Sequence, residues 1–250
     1  MKLFKKISKK ISTIKNGITS AIILCAGNST RFSSENSKQM ALVGSKEVVV
    51  RTIEAFENSD LIDEIILVVR KEDTEKYKEL VVLNKFLKIK CIVVGGETRQ
   101  SSAFRGFKHI SDRCSYVVIH DGARCLVTPE IISKVLNSAK ENGAATAGTV
   151  STDTIKLADA NGYVSKTLNR NLIWQIQTPQ AFSKKVYTAS VYYAQENKIE
   201  ATDDSALVEA MGHKVKLVEC GKTNIKITVK EDIYLAEHYL LLQEANEECE

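Results

Sequence analysis

With 250 residues and 44% hydrophobic content, the chain can bury one large core, and its 2 prolines and 12 glycines gather into no linker that would divide it. No apolar run is long enough to span a bilayer, which predicts a soluble protein. The formal net charge is only +4. Lys2, Lys5, Lys6, Lys9, Lys10 and Lys15 account for it, so the remainder is near neutral and composition argues against a nucleic-acid binder.

The 6 cysteines (Cys25, Cys91, Cys114, Cys125, Cys220, Cys249) form no C-x-x-C pair, and several fall in or beside apolar runs. Free buried thiols in a reducing cytoplasm fit that pattern better than zinc or disulfides. His109, His120, His213 and His238 show no metal-ligand spacing.

Residues 1–17 form a basic amphipathic extension, with Leu3, Phe4, Ile7, Ile11 and Ile14 on one helical face. Such a segment lies on an anionic membrane surface, packs on the domain or frays; it lacks the apolar region and cleavage site of a secretory signal. Residues 18–250 read as a single domain.

The domain opens with Ala21–Leu24, a run of buried-strand character that breaks into Cys25-Ala26-Gly27-Asn28-Ser29-Thr30-Arg31, followed by Lys38-Gln39. Small residues and two cations after a strand suit a backbone cradle for phosphate; taken alone, a solvated basic turn explains them as well. Helices at Glu47–Asn58, Glu72–Leu83 and near Ser102–Ile110 alternate with strands at Ile62–Val69, Ile89–Val94 and Tyr116–Ile119. Thr128, with Pro129 and Glu130 behind it, predicts a helix start, and that helix runs to about Asn142. Near-continuous apolar strands alternating with helices indicate a mostly parallel α/β sheet covered on both faces.

Three strand ends lead into chemically useful loops: Cys25–Arg31, Gly95-Gly96-Glu97-Thr98-Arg99 through Ser102, and His120-Asp121-Gly122-Ala123-Arg124. In an open α/β sheet the ligand crevice lies beyond the carboxyl ends of the strands, so these loops are expected to converge. Gly95-Gly96 permits close approach to a planar base, and Ser102 caps a helix or donates to a ligand. Asp121 holds a metal or a sugar hydroxyl, or pairs with Arg124.

Ala144–Val150 reads as a further strand. Ser151–Thr178 then alternates around Asp159-Ala160-Asn161-Gly162, a hairpin signal, and a hairpin projecting from an α/β core predicts a dimerisation arm over about 151–178. Helices at Lys184–Glu196 and Asp203–Met211, strands at Val215–Val218 and Ile225–Thr228, and a closing helix at Lys230–Leu242 complete the chain.

From about Thr19 to Leu241 these motifs, in this order, resemble the 2-C-methyl-D-erythritol 4-phosphate cytidylyltransferases of the non-mevalonate isoprenoid pathway. Further matches are Asp153-Thr154, Asn169-Arg170-Asn171 with Trp174, Gln177-Thr178-Pro179-Gln180, Thr202-Asp203-Asp204 and Asn224-Ile225-Lys226-Ile227-Thr228. The resemblance implies a Rossmann-like nucleotidyltransferase fold with a projecting β-hairpin arm. It also implies a homodimer and Mg²⁺-dependent transfer of CMP from CTP to a sugar-alcohol phosphate. By position Arg31 and Lys38 stabilise the transition state at the triphosphate, while Arg170 and Lys226 position the acceptor phosphate. Thr154, Thr178 and Thr202 then line the acceptor pocket, with Thr154 and Arg170 crossing to the other subunit. Gly96, Glu97 and Ser102 match cytosine and ribose contacts; Ala26, Gly27, Asp121 and Gly122 are further substrate contacts, and Asp121 is the metal ligand.

The sequence departs from the family pattern at Ser29 (usually Gly), Ser37 (usually Pro), Met40, Ala41 and Cys125 (usually Pro). Two other readings therefore stand beside the first: a ribitol-5-phosphate cytidylyltransferase of the same fold, and a nucleotide-binding regulator with weak catalysis.

Overall fold

The computed structural model describes residues 17–27, 32 and 37–247. Asn28–Arg31, with Ser29 among them, the extension over 1–16 and Cys249 lie outside the described residues.

Hydrophobic burial on two sides explains why the strands read as continuous apolar runs. In β1 (Ile18–Leu24) and β4 (Glu64–Val69), Ala21, Ile23, Ile65, Leu67 and Val69 enter one core, while Ile22, Leu24, Ile66 and Val68 enter another. The small hairpin β2 (Leu42–Val43) and β3 (Lys46–Glu47) precedes α1 (Val48–Glu57). Val49, Ile53 and Phe56 of α1 pack on the first core, as do Tyr77 and Leu80 of α2 (Thr74–Leu83) and Ile132, Val135 and Leu136 of α4 (Pro129–Asn142). The second core is closed by Ala103 of α3 (Arg99–Phe107), Tyr187 and Val191 of α5 (Lys184–Glu196), and Val208 of α6 (Asp204–Ala210).

The 7-stranded sheet also contains β5 (Ile89–Val94), β6 (Cys114–Asp121), β7 (Ala144–Val150), β10 (Trp174–Ser183) and β11 (Lys216–Glu219), in the order β11-β7-β10-β6-β1-β4-β5. All neighbouring pairs are parallel except those made by β10, which runs against both β6 and β7. The expected mostly parallel Rossmann-like sheet is present. The closing helix α7 (Glu231–Glu247) lies over a third apolar cluster with Val43, Val48, Ala123, Cys125 and Ile227.

Several boundaries differ from expectation for identifiable reasons. Helix α3 starts at Arg99 because Thr98, not Ser102, is the N-cap: its hydroxyl accepts from the Ser101 amide while the Ser101 hydroxyl accepts from the Thr98 amide. Thr128 caps α4 as expected, accepting from the Ile131 amide. Ile225–Thr228 is no strand: it lies beside the loop after β6, joined to it by a backbone bond from Ile227 N–H to Ala123 O of 2.8 Å. The hairpin forms as β8 (Lys156–Ala158) and β9 (Val164–Thr167), its turn held by Asp159, whose carboxylate accepts from the Asn161 and Tyr163 amides. Residues 174–178, expected in the arm, instead begin β10, because Trp174, Gln175 and Ile176 pair with Val150, Thr149 and Gly148 of β7.

Candidate active site

The carboxyl ends of β1, β4, β5 and β6 open into a cleft of about 540 Å³. Ala26, Gly27, Lys38, Gly96, Glu97, Ser102, Asp121 and Lys226 all line it, so the three strand-end loops do converge as the crevice rule requires. Lys38 sits in a short 3₁₀ turn, Lys38–Met40. Gln39 ties that turn to the exit of β1 by donating to Cys25 O at 3.4 Å, and Ser37 Oγ donates to Gln39 Oε1 at 2.5 Å. Ser37 therefore restrains the turn by a side-chain bond where a proline ring would do so covalently. Cys125, at the other lost proline, is buried in the third apolar cluster, and burial pushes its thiol up to about 11.

The Gly95–Gly96 loop is held from α3. Ser102 Oγ accepts from the Gly96 amide at 3.0 Å, and Arg105 donates to Gly95 O at 2.8 Å. A Cβ at Gly95 would overlap the Ala26 methyl, so only glycine lets the β1 and β5 loops meet here.

Asp121 is the electrostatic centre. Its Oδ1 accepts from Arg99 Nε at 3.2 Å, its Oδ2 from Lys226 Nζ at 2.8 Å, and Arg124 Nε lies 3.7 Å away. Burial alone would raise its pKa, but Arg99, Lys226 and Arg124 more than offset that and hold it well below the usual carboxylate range. Of the alternatives raised for Asp121, pairing with Arg124 is thus present, within a larger set of cations. Arg99 continues the network to Asp204 through a 2.6 Å bond, and Asp204 also accepts from Tyr187 Oη at 2.7 Å. Burial opposes the charge on Arg99, yet Asp204 and Asp121 raise its pKa overall.

Behind Asp121 lies a buried relay. The Asp121 amide donates to Thr178 Oγ1 at 3.0 Å, Thr178 bonds His120 Nδ1 at 3.0 Å, and His120 Nε2 bonds Arg124 O at 3.2 Å. A carbonyl only accepts, so the imidazole is protonated at Nε2 and accepts a hydrogen bond from the Thr178 hydroxyl at Nδ1.

The other sequence-derived residues fall elsewhere. Thr178 is buried in this relay and does not line the cleft. Gly122 is packed beneath it, where a Cβ would overlap the Cys25 sulfur. Thr154, Thr202 and Arg170 are exposed and outside the cleft of their own chain; Arg170 donates to Thr152 O at 3.0 Å. Asp153 is not its partner. A second hollow of about 370 Å³ adjoins the cleft, shares Lys226 with it, and is walled by Arg124, Asp153, Gln177, Lys222 and Asn224.

Arg70, Lys71 and Arg105 line the cleft without having been singled out in the sequence. Arg70 and Lys71 follow the carboxyl end of β4, so the strand-end rule applied to Val69 would have found them. Arg105, two turns into α3, carries no comparable signal. In all, six cationic and three acidic side chains line the cleft, an excess suited to a polyphosphate.

The family model described as IspD: 2-C-methyl-D-erythritol 4-phosphate cytidylyltransferase matches residues 19–242. The chain belongs to this family. Among curated members, the 2-C-methyl-D-erythritol 4-phosphate cytidylyltransferase of Caldanaerobacter subterraneus subsp. tengcongensis is 44% identical over 88% of this chain and 98% of its own length. That of Alkaliphilus oremlandii is 40% identical over 89% and 94%. Among solved structures, the 4-diphosphocytidyl-2C-methyl-D-erythritol synthase of Anaerococcus prevotii superposes with a TM-score of 0.81 at 37% identity, covering 90% of this chain and 99% of that one. The Thermus thermophilus member gives 0.74 at 29% identity, covering 89% and 98%. Cytidylyltransferases are enzymes, and this family member is one.

The relay behind Asp121 makes the fold pH-sensitive. Burial pushes the His120 pKa down from 6.5 to about 3. Below pH 6.5 the unfolded chain therefore binds a proton that the folded one refuses, and stability falls. The loss attributable to His120 is about 2 kcal/mol between pH 7.5 and pH 5. Urea titrations of the parent and His120→Gln at both pH values check this: the parent loses more stability on acidification by about that amount, and equal losses contradict the assignment.

Proposed function

We infer that the chain transfers CMP from CTP to 2-C-methyl-D-erythritol 4-phosphate, giving 4-diphosphocytidyl-2-C-methyl-D-erythritol and pyrophosphate. The observation that supports it is the single cleft in which Lys38, Lys226 and the Gly95–Gly96 loop come together around an ionised Asp121. The ribitol phosphate acceptor is not favoured, since the matched relatives are named for methylerythritol phosphate.

The chemistry needs no general base. A phosphate monoester has its second pKa near 6 and is largely dianionic at neutral pH. One of its oxygens attacks the α-phosphorus of CTP, a new P–O bond forms, and the bond to the bridging oxygen breaks to release pyrophosphate. The obstacle is mutual repulsion of two polyanions, which fixed cations reduce. In this reading the Gly95–Gly96 backbone, Ser102 and Glu97 receive cytosine and ribose, while Ala26 and Gly27 approach the phosphates. Lys38 serves the triphosphate, together with Arg31, and Lys226 serves the acceptor from its place between the cleft and the adjoining hollow.

A divalent cation fits this donor set. No cluster of three His, Cys, Asp or Glu side chains is present among the described residues. Mg²⁺ commonly relies on one or two carboxylates plus substrate phosphates, and Asp121 supplies one such carboxylate. Bound there, Mg²⁺ would neutralise charge developing on the phosphates.

The arm supports a homodimer. Every residue of β8 and β9 is exposed, and Leu157, Tyr163 and Val164 are 53%, 73% and 63% exposed. Laid on a second copy, these side chains leave water and Thr154 and Arg170 reach that copy's acceptor site. The scattered free cysteines support a cytoplasmic location.

Purified protein with CTP, Mg²⁺ and methylerythritol phosphate is expected to release pyrophosphate, with far less release on ribitol 5-phosphate. Lys38→Ala lowers turnover by roughly 10²–10³-fold with CTP affinity little changed. No pyrophosphate with either acceptor despite CTP binding would instead indicate a regulator. For the arm, mixing inactive Lys38→Ala and Arg170→Ala proteins restores up to about a quarter of parental activity, because half the dimers are mixed and each holds one intact site. No recovery after subunit exchange contradicts a crossing arm.

A further inference from the structure

We propose that Arg105 determines which nucleobase the cleft accepts: from α3 it holds the Gly95–Gly96 peptide in one orientation, and that orientation favours cytosine over uracil. The proposal rests on the reading that the Gly95–Gly96 backbone receives the base. It gives a task to a cleft cation that the transfer chemistry leaves unused.

Close packing requires glycine at both positions. A Cβ at Gly95 would overlap the Ala26 methyl, and one at Gly96 would overlap the Ser101 hydroxyl, so no side chain can stiffen the loop here. Two consecutive glycines leave the peptide between them free to turn over, because neither has a Cβ to oppose the change in φ and ψ. Turning it over exchanges a carbonyl for an N–H at the same place in space.

Helix α3 removes that freedom at both ends of this one peptide. The Gly95 carbonyl accepts from Arg105 Nη1 at 2.8 Å, and the Gly96 N–H donates to Ser102 Oγ at 3.0 Å. Ser102 and Arg105 are three residues apart and so lie on one helix face. Arg105 Nη1 also reaches Val94 O at 3.4 Å, which ties the guanidinium to the last residue of β5. Ser102 alone does not fix the polarity: a hydroxyl donates as well as it accepts, and Ser102 Oγ already donates to Gly96 O at 3.3 Å. It would bond a reversed peptide too. A guanidinium only donates, so Arg105 accommodates the carbonyl and rejects an N–H in its place.

Polarity is what separates the two pyrimidines. Cytosine carries an amino donor at position 4 and an acceptor at N3, where uracil carries a carbonyl acceptor and an N–H donor. A backbone whose carbonyls and N–H groups are fixed matches one of these patterns and leaves polar groups unpaired against the other, whereas a backbone that turns over fits both.

Calorimetric titration of the full chain with CTP and with UTP, in the presence of Mg²⁺, reads this preference. Arg105→Ala is expected to lower the ratio of CTP to UTP affinity by about fivefold or more, chiefly through weaker CTP binding. Arg105→Lys, whose ammonium also only donates, restores most of the ratio. Arg105 is exposed, and an unchanged thermal midpoint shows that both variants are folded. Equal weakening of CTP and UTP would mark a cation that only attracts the triphosphate, and an unchanged ratio would mark a residue without influence on the base; either overturns the proposal. The readout is nucleotide binding, so a failure to release pyrophosphate with methylerythritol phosphate would refute the transfer reaction and leave this result standing. A parent that binds UTP as tightly as CTP would instead remove both the base-reading premise and the role of Arg105.

Discussion

A single carboxylate buried among cations organises the cleft. Asp121 comes from β6, Arg99 from the first turn of α3, Arg124 from the loop after β6, and Lys226 from the segment beyond β11. Each cation arrives from a different part of the chain, so the ion cluster can form only when the whole sheet is assembled. Removing Asp121 itself would take from the buried Arg124 its carboxylate partner, a cost of about 3–5 kcal/mol. The same arrangement suits function: the cations that neutralise Asp121 are held at the cleft by their ion pairs, positioned to face a polyphosphate with little side-chain ordering left to do.

Several motif residues serve this cluster from behind rather than touching substrate. Gln180 is buried and accepts from the Asp204 and Ser205 amides while donating to Asp203 and Thr146. It thereby sets the start of α6 and holds Asp204 against Arg99. Asn224 donates to Gln177 Oε1 and Thr178 O, which fixes the approach to Lys226. Thr178 and His120 hold the Asp121 amide. A buried network of this kind is stable only when its members are satisfied together, so the polar motif residues constrain one another.

Three of the departures from the family pattern, Ser37, Met40 and Cys125, fall where the fold absorbs them. Ser37 replaces a ring constraint with a hydrogen bond to Gln39, and Met40 packs partly buried against the first core. Cys125 fills apolar space beside Ala123, Leu126 and Ile227. None of these removes a charge from the cleft, and Lys38 and Lys226 both line it.

Periodicity, apolar runs and turn residues determined the alternation of strands and helices, the β5, β7, α4 and α5 boundaries, the hairpin, and the convergence of three loops. Those features depend on interactions between near neighbours in the chain and on the requirement that a parallel sheet be covered on both faces. Residues 225–228 misled because an apolar alternating run reads as a strand whether or not a sheet edge is free to receive it; here the neighbouring loop after β6 takes the backbone bond instead. Thr178 and Gly122 misled because a motif marks a position as constrained without saying whether a ligand or a scaffold constrains it. Only the tertiary structure decided which cations share Asp121, that Arg70, Lys71 and Arg105 line the same cleft, and that Arg170 stands outside it. The ion pairs at Asp121 join residues up to 105 positions apart, as Lys226 and Asp121 are, and distance in space between such residues is set by packing of the whole sheet rather than by any local pattern.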